Sequence, residues 1–152
     1  MSRPKHLQTE TRCYFVTTNT EGRKALFVNH RVARIVIDAL HFLRKESRIR
    51  LYGFVIMPDH LHFIPFLSEG EELPKVMHSL KSFTAKEINK NLRRSGKVWQ
   101  DGYHGHGIRD EQDMLIRLRY MIENPVRKGI VECPEEYKLS SAHESWAVDS
   151  LW

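Results

Sequence analysis

His60 and His62 flank Leu61. In a β-strand, side chains two apart point to the same face, with Cα atoms roughly 6.5–7 Å apart, so two imidazoles could converge on one metal ion while Leu61 joins the core. The plainer reading is two exposed or separately hydrogen-bonded histidines on a half-buried sheet. Further along, Asp113, Arg117, Tyr120 and Asn124 follow at steps of four, three and four, which on a helix is one stripe. Tyr120 falls roughly opposite the apolar positions centred on Leu118, where a tyrosine serving only the core would not face; it could also be a surface tyrosine covering its neighbours. Asn124, one turn on, could bring a carbonyl oxygen to the same place or simply stop the helix before Pro125. His104 and His106 repeat the His-X-His spacing. They rank second, because Gly105 and Gly107 loosen that segment and no nucleophile is tied to it.

Those groups need elements to hold them. Residues 12–18 are β-branched and aromatic and predict a strand. Val28, Val32, Ile35, Val36, Ala39 and Leu43 recur at helical steps, so 29–45 predicts an amphipathic helix. The run 51–57 is apolar on both alternating faces, as a strand buried in a sheet would be. Pro58-Asp59 supplies a turn, and 60–66 predicts the returning strand, with Pro65 ending it or marking a bulge. Residues 72–93 predict a second helix closed by Ser95-Gly96, and 98–108 a Gly-interrupted strand. A last helix opens at Asp110, a good N-cap, buries Met114, Leu115, Leu118, Met121 and Ile122, and stops at Asn124. The remainder reads as loop, anchored by Tyr137, Trp146 and Trp152. This β-α-β-β-α-β order plus one helix predicts an α+β, ferredoxin-like antiparallel sheet, with two crossover helices on one face and the tyrosine helix free to lie on the other. One domain is expected over 1–152, its core about 12–131 and its tail 132–152.

Composition agrees with a globular chain: 152 residues, 41% hydrophobic and 28% charged, too apolar for disorder. The longest uncharged apolar run, 51–58, falls short of the ~20 residues of a membrane span. The polar N-terminus lacks a secretory signal, so a cytoplasmic location is expected. Cys13 and Cys133 form no CxxC pair and so neither a disulfide framework nor a zinc knuckle. Lys and Arg number 24 against 19 Asp and Glu, for a net charge of +5, which suits a polyanionic partner or an ordinary basic protein.

Three stretches together resemble a known family: Met57-Pro58-Asp59-His60-Leu61-His62-Phe63, Val98-Trp99-Gln100-Asp101-Gly102-Tyr103, and Tyr120-Met121-Ile122-Glu123-Asn124-Pro125-Val126-Arg127-Lys128-Gly129. In this order they look like the single-tyrosine HUH transposases, in particular the REP-associated branch, over about residues 14–131. The resemblance implies a divalent ion, Mg²⁺ or Mn²⁺, on His60, His62 and Asn124. It also implies Tyr120 as the nucleophile that cuts and rejoins single-stranded or hairpin DNA through a 5′-phosphotyrosine. A monomer and a homodimer both stay open. So do a catalytically idle nucleic-acid-binding regulator on the same fold and a metal hydrolase acting through water.

For DNA contacts, Lys75, Ser79, Ser82, Lys86, Lys90 and Arg93 share one stripe of the second helix, with Arg94 and Lys97 beyond it and Lys81 a further candidate. That stripe is a phosphate-tracking face or simply a solvated one. Trp99, Tyr103, His104 and His106 put rings beside Gln100 and Arg109, a mixture suited to unpaired bases, although for Trp99 a place in the core is the favoured reading. Arg117, Arg127 and Lys128 are candidate phosphate contacts around the tyrosine helix.

Overall fold

The computed structural model describes residues 11–150; Trp152, expected as an anchor, lies outside them. Strand β1 (Cys13–Asn19) leads through two short 3₁₀ turns into helix α1 (His30–Lys45), then β2 (Ile49–Met57), β3 (His60–Leu67), α2 (Leu73–Leu92) and β4 (His104–Ile108). Helix α3 (Glu111–Ile122) follows, and then a single turn, α4 (Asn124–Arg127). The strands form one sheet in the order β2-β3-β1-β4, every neighbouring pair antiparallel. This is the α+β arrangement expected, with α3 as the added helix. No described helix is long and apolar enough to cross a membrane.

Local chemistry sets the boundaries. The Asn29 side chain accepts hydrogen bonds from the Arg31 and Val32 amides and so caps α1, satisfying donors that have no partner within the helix. Asp110 caps α3 in the same way through the Asp113 amide, at 2.7 Å.

Both faces of the sheet are covered. On one, α1 and α2 bury Val32, Val36, Ile37, Leu40, Val76, Met77 and Leu80 against Val16, Phe54, Ile56, Leu61 and Phe63. On the other, α3 brings Met114 and Met121 against Phe15, Tyr52, Val55, Met57 and Ile64. A Cβ on Gly53 would stand 2.6 Å from Met121 Cε and 2.9 Å from Leu118 Cδ1. Hydrogen at this position is what lets α3 approach the sheet so closely.

Three expectations are corrected, and for a fourth, at Pro65, one of two alternatives is decided. The strand expected over 98–108 is only His104–Ile108; Val98 and Trp99 are buried ahead of it, and Trp99 forms an isolated bridge to Thr20. Leu115 is not buried but half exposed. Helix α3 is rolled so that Asp113, Arg117 and Asn124 approach the sheet, which turns Leu115 outward. Of the two outcomes expected at Pro65, the structure gives the bulge and not the strand end. The proline stays in the ladder opposite Leu51, and β2 bulges between Leu51 and Gly53, absorbing the missing donor. Nor do Gly105 and Gly107 loosen β4: it pairs regularly with β1, and Cβ atoms there would press on Leu73 and Thr11.

The tail is loop-like, as expected, and adds something its composition did not show. It runs along the outer edge of β2: the Ile56 amide donates to Leu139, the Ser141 amide to Phe54, and the Leu51 amide to the Asp149 carboxylate. Tyr137 and Trp146 anchor it, through a hydroxyl bond to the Ile56 carbonyl and through ring contacts with His41 and Phe54. A sheet edge open to further pairing is thereby closed.

Candidate active site

His60 opens β3 directly after the Pro58-Asp59 turn, and period-two alternation sends both histidines to the α3 side of the sheet while Leu61 enters the opposite core. Each Nδ1 is already engaged. His60 Nδ1 lies 2.7 Å from Asp59 Oδ1, and His62 Nδ1 lies 2.8 Å from Thr17 Oγ1 of the neighbouring strand. That leaves the two Nε2 atoms for a further partner. The rings stand 4.7 Å apart between centroids, steeply inclined at 80°.

Asn124 completes the group, with its amide nitrogen 3.5 Å from His60 Nε2. Rotating the amide by half a turn would present its carbonyl oxygen instead. His60, His62 and Asn124 are all buried. Burial pushes the His62 imidazole down to about 3, with the charges of His60, Arg127 and Arg23 adding to the effect. Burial also lowers His60; Asp59 partly offsets this, while Arg23 and Lys128 reinforce it. For Asp59, burial acts to raise the carboxyl, but hydrogen bonds from His60 and Arg23 outweigh it and hold the group below its usual range.

Two neutral imidazoles, each oriented through Nδ1, with an amide oxygen available beside them, suit a divalent ion in a site with open positions. Among the described residues, no group of three His, Cys, Asp or Glu is placed to hold a metal. The Asn124 amide, beside His60 Nε2, is the polar side chain placed to add a third ligand.

Tyr120 does not touch the histidines directly. Its ring, half exposed, meets Phe15 edge-on at 6.1 Å, and Phe15 stacks on His62 at 5.2 Å. The Arg127 guanidinium lies 4.1 Å over the tyrosine ring, and its Nη2 donates to the Tyr120 carbonyl at 2.7 Å. The helical stripe thus crosses three strands. Asp113 accepts from β4 through His106 (2.8 Å) and from Arg117 (3.2 Å), Tyr120 meets β1, and Asn124 meets β3. The rival His104–His106 pair is not assembled as ligands: His106 is taken by Asp113, and His104 is exposed.

The candidate DNA contacts divide. Lys75, Ser82, Lys86 and Arg93 are exposed on α2, as are Arg109, Arg127 and Lys128 elsewhere; Gln100 and Arg117 are half-buried. Helix α2 packs on the sheet face opposite the histidines, so its basic stripe lies apart from them. Lys81 holds the loop before β4 by donating to the Gln100 and Gly102 carbonyls at 2.7 and 2.6 Å. Arg94 bonds the Asn89 side chain and the Lys97 carbonyl. Trp99 is corrected: it is buried, with Nε1 donating to Thr84 Oγ1 at 2.9 Å, so no face is left for a base to stack on. Sequence reasoning passed over Phe15, Thr17, Asp59 and Arg23. Asp59 could have been noticed beside His60, whereas the other three depend on strand register and loop path.

Residues 9–125 match the family described as IS200-like transposases. A REP-associated tyrosine transposase of Escherichia coli is 23% identical over 139 residues, covering 88% of this chain and 78% of that protein. A Haemophilus influenzae relative, provisionally given the same description, is 32% identical over 98 residues, and the match spans 58% of this chain and 56% of that protein. Among solved structures, a REP-associated tyrosine transposase bound to a REP hairpin aligns with a TM-score of 0.70 at 23% identity, over 98% of this chain and 93% of that one. A Deinococcus radiodurans chain, provisionally described as a transposase, aligns at 0.56 and 18% identity, over 82% of this chain and 97% of that one.

Proposed function

The chain belongs to the IS200-like transposase family, and from that premise we propose that it cleaves and rejoins one strand of hairpin-bearing DNA, using Tyr120 as nucleophile. The observation that carries this reading is the crossing of the α3 stripe over the histidine face, with Phe15 in contact with both Tyr120 and His62 and with Asn124 beside His60. Hairpin DNA is favoured as substrate because the solved relative that aligns over nearly the whole chain is described as bound to one.

His60, His62 and Asn124 would hold a divalent ion, Mg²⁺ or Mn²⁺. Such an ion withdraws charge from a non-bridging phosphate oxygen and orients phosphorus for displacement. The Asp59 carboxylate, accepting from Nδ1, keeps His60 in the tautomer that leaves Nε2 free, and Thr17 at Nδ1 of His62 sets the orientation of that ring. The Tyr120 phenol oxygen then attacks phosphorus in line with the departing 3′-oxygen. One P–O bond forms as another breaks, the phenol loses its proton to solvent, and the 3′-oxygen leaves as a hydroxyl. The DNA 5′-end stays on the enzyme as a phosphotyrosine. Because the ester bond is conserved, attack by another 3′-hydroxyl reverses the step and joins strands without ATP. Arg127 stands where it can counter charge on that phosphate.

Incubation with end-labelled hairpin DNA and Mn²⁺, followed by denaturing electrophoresis, tests the proposal. The expected result is a protein–DNA adduct that disappears in Tyr120→Phe, with cleavage reduced roughly a thousandfold or more and DNA binding retained. Wild-type cleavage by Tyr120→Phe would transfer the chemistry to water. Binding with no adduct from the wild-type chain would make it a regulator.

A further inference from the structure

Residues 21–23 form a tight turn in which Gly22 and Arg23 both have positive φ, +65° and +53°. An arginine in that region is uncommon, and it persists only where its surroundings hold it. Here they do. The Thr20 amide and hydroxyl both donate to the Asp59 carbonyl (2.9 and 3.1 Å), the Glu21 amide donates to Val98, and the Phe27 amide donates to Pro58. The turn is therefore fastened to the hairpin corner that introduces His60.

The outcome is a relay of three side chains. Arg23 Nε donates to Asp59 Oδ2 at 2.9 Å, and Asp59 Oδ1 meets His60 Nδ1 at 2.7 Å. One carboxylate thus orients both the imidazole and the guanidinium. Asp59 engages Arg23 only through Nε, and the arginine side chain stays 51% exposed. It opens on a cleft of about 260 Å³ shared with Met57, Asp59, His60, Lys128 and Ile130, in which the one carboxylate, Asp59, is already engaged by Arg23 Nε and His60 Nδ1. Tyr120 is absent from that cleft and lines a separate concavity with Arg119, Glu123 and Arg127 along α3.

We infer that Arg23 and Lys128 form a second phosphate subsite, which holds the DNA backbone on the strand that departs with the free 3′-hydroxyl. The inference rests on Tyr120 as nucleophile. In-line displacement puts the leaving oxygen opposite the attacking one, and the Arg23–Lys128 cleft, lined by His60 but not by Tyr120, is where the departing nucleotide would lie. A guanidinium with free donors matches a backbone phosphate there, and Lys128 adds a second positive charge. Arg127 serves the attacking side and this pair the departing side, so the strand is held across the bond to be cut.

The test is a coupling cycle. The cleaved bond is first mapped from the adduct. In a Tyr120→Phe background, which leaves the substrate intact, hairpin DNA is then compared with the same DNA carrying one neutral methylphosphonate at the phosphate 5′ to the cleaved one. The neutral linkage and Arg23→Gln are each expected to weaken binding about fivefold, and together no more than either alone. Lys128→Gln, an exposed substitution, is expected to show the same non-additive pattern, and Arg23→Lys to recover part of the loss. Fully additive losses with both variants would overturn the subsite and leave Arg23 as a brace for Asp59. Absence of any Tyr120 adduct from the wild-type chain would instead overturn the nucleophile reading, and the subsite with it.

Discussion

The two faces of the sheet are built to different specifications. Helix α1 buries Val32, Ala33, Val36, Ile37, Ala39, Leu40 and Leu43, an apolar surface continuous with α2 and the sheet beneath. Helix α3 buries only Met114 and Met121; beside them it presents Asp113, held by Arg117, to His106, and the turn that follows brings Asn124 to His60. Apolar burial contributes most to folding, so the α1–α2 face holds the molecule together. The α3 face exchanges part of that contribution for polar groups held in register. Conserving the whole fold and conserving the site are therefore tasks for different residues.

Truncations on the first face should have the largest effect. Phe54→Ala removes a fully buried ring from the α1–α2 core and should cost about 3–5 kcal/mol in urea unfolding. A loss below 1 kcal/mol would mean that the two faces do not differ as described. The histidine face should instead show itself in acid. His62 titrates near 6.5 when unfolded but is pushed down to about 3 by burial, so between those values the unfolded state binds the proton and the folded state does not. Stability should therefore fall as pH falls through 6.5 toward 3. In chelator, wild type should lose about 1.6 kcal/mol more than His62→Asn between pH 6.5 and 5; equal losses would show that the imidazole charges without penalty. The smallest effect belongs to the outer side of α3. Leu115→Gln replaces a half-exposed side chain and should change stability by no more than about 0.5 kcal/mol, as measured by thermal melting.

Much of this was legible in the chain itself. The element order, the cap at Asp110, the shared face of His60 and His62, and the single stripe from Asp113 to Asn124 all follow from local spacing and side-chain chemistry. What stayed hidden depended on partners distant in sequence. The roll of α3, which exposes Leu115, comes from hydrogen bonds to strands whose register no local pattern reveals. Phe15 and Thr17 look like ordinary β1 residues until pairing sets Thr17 against His62. Arg23 reads as a loop cation until the turn folds onto Asp59. An indole at Trp99 can serve a core or a base; the core, the favoured reading, is what its burial and the bond to the Thr84 hydroxyl give.

Pro65 bears on more than the shape of one ladder. The proline and the facing bulge in β2 work as an index mark, because only one alignment of the two strands places a residue without an amide hydrogen opposite the irregularity. A slide of a single position would invert every side chain of β3. Both imidazoles would then be driven into the greasy layer beneath α1 and α2, and Leu61 would stand under the tyrosine helix. A residue five places from His60, with no part in the chemistry, thus guards the hand in which the reactive groups are dealt.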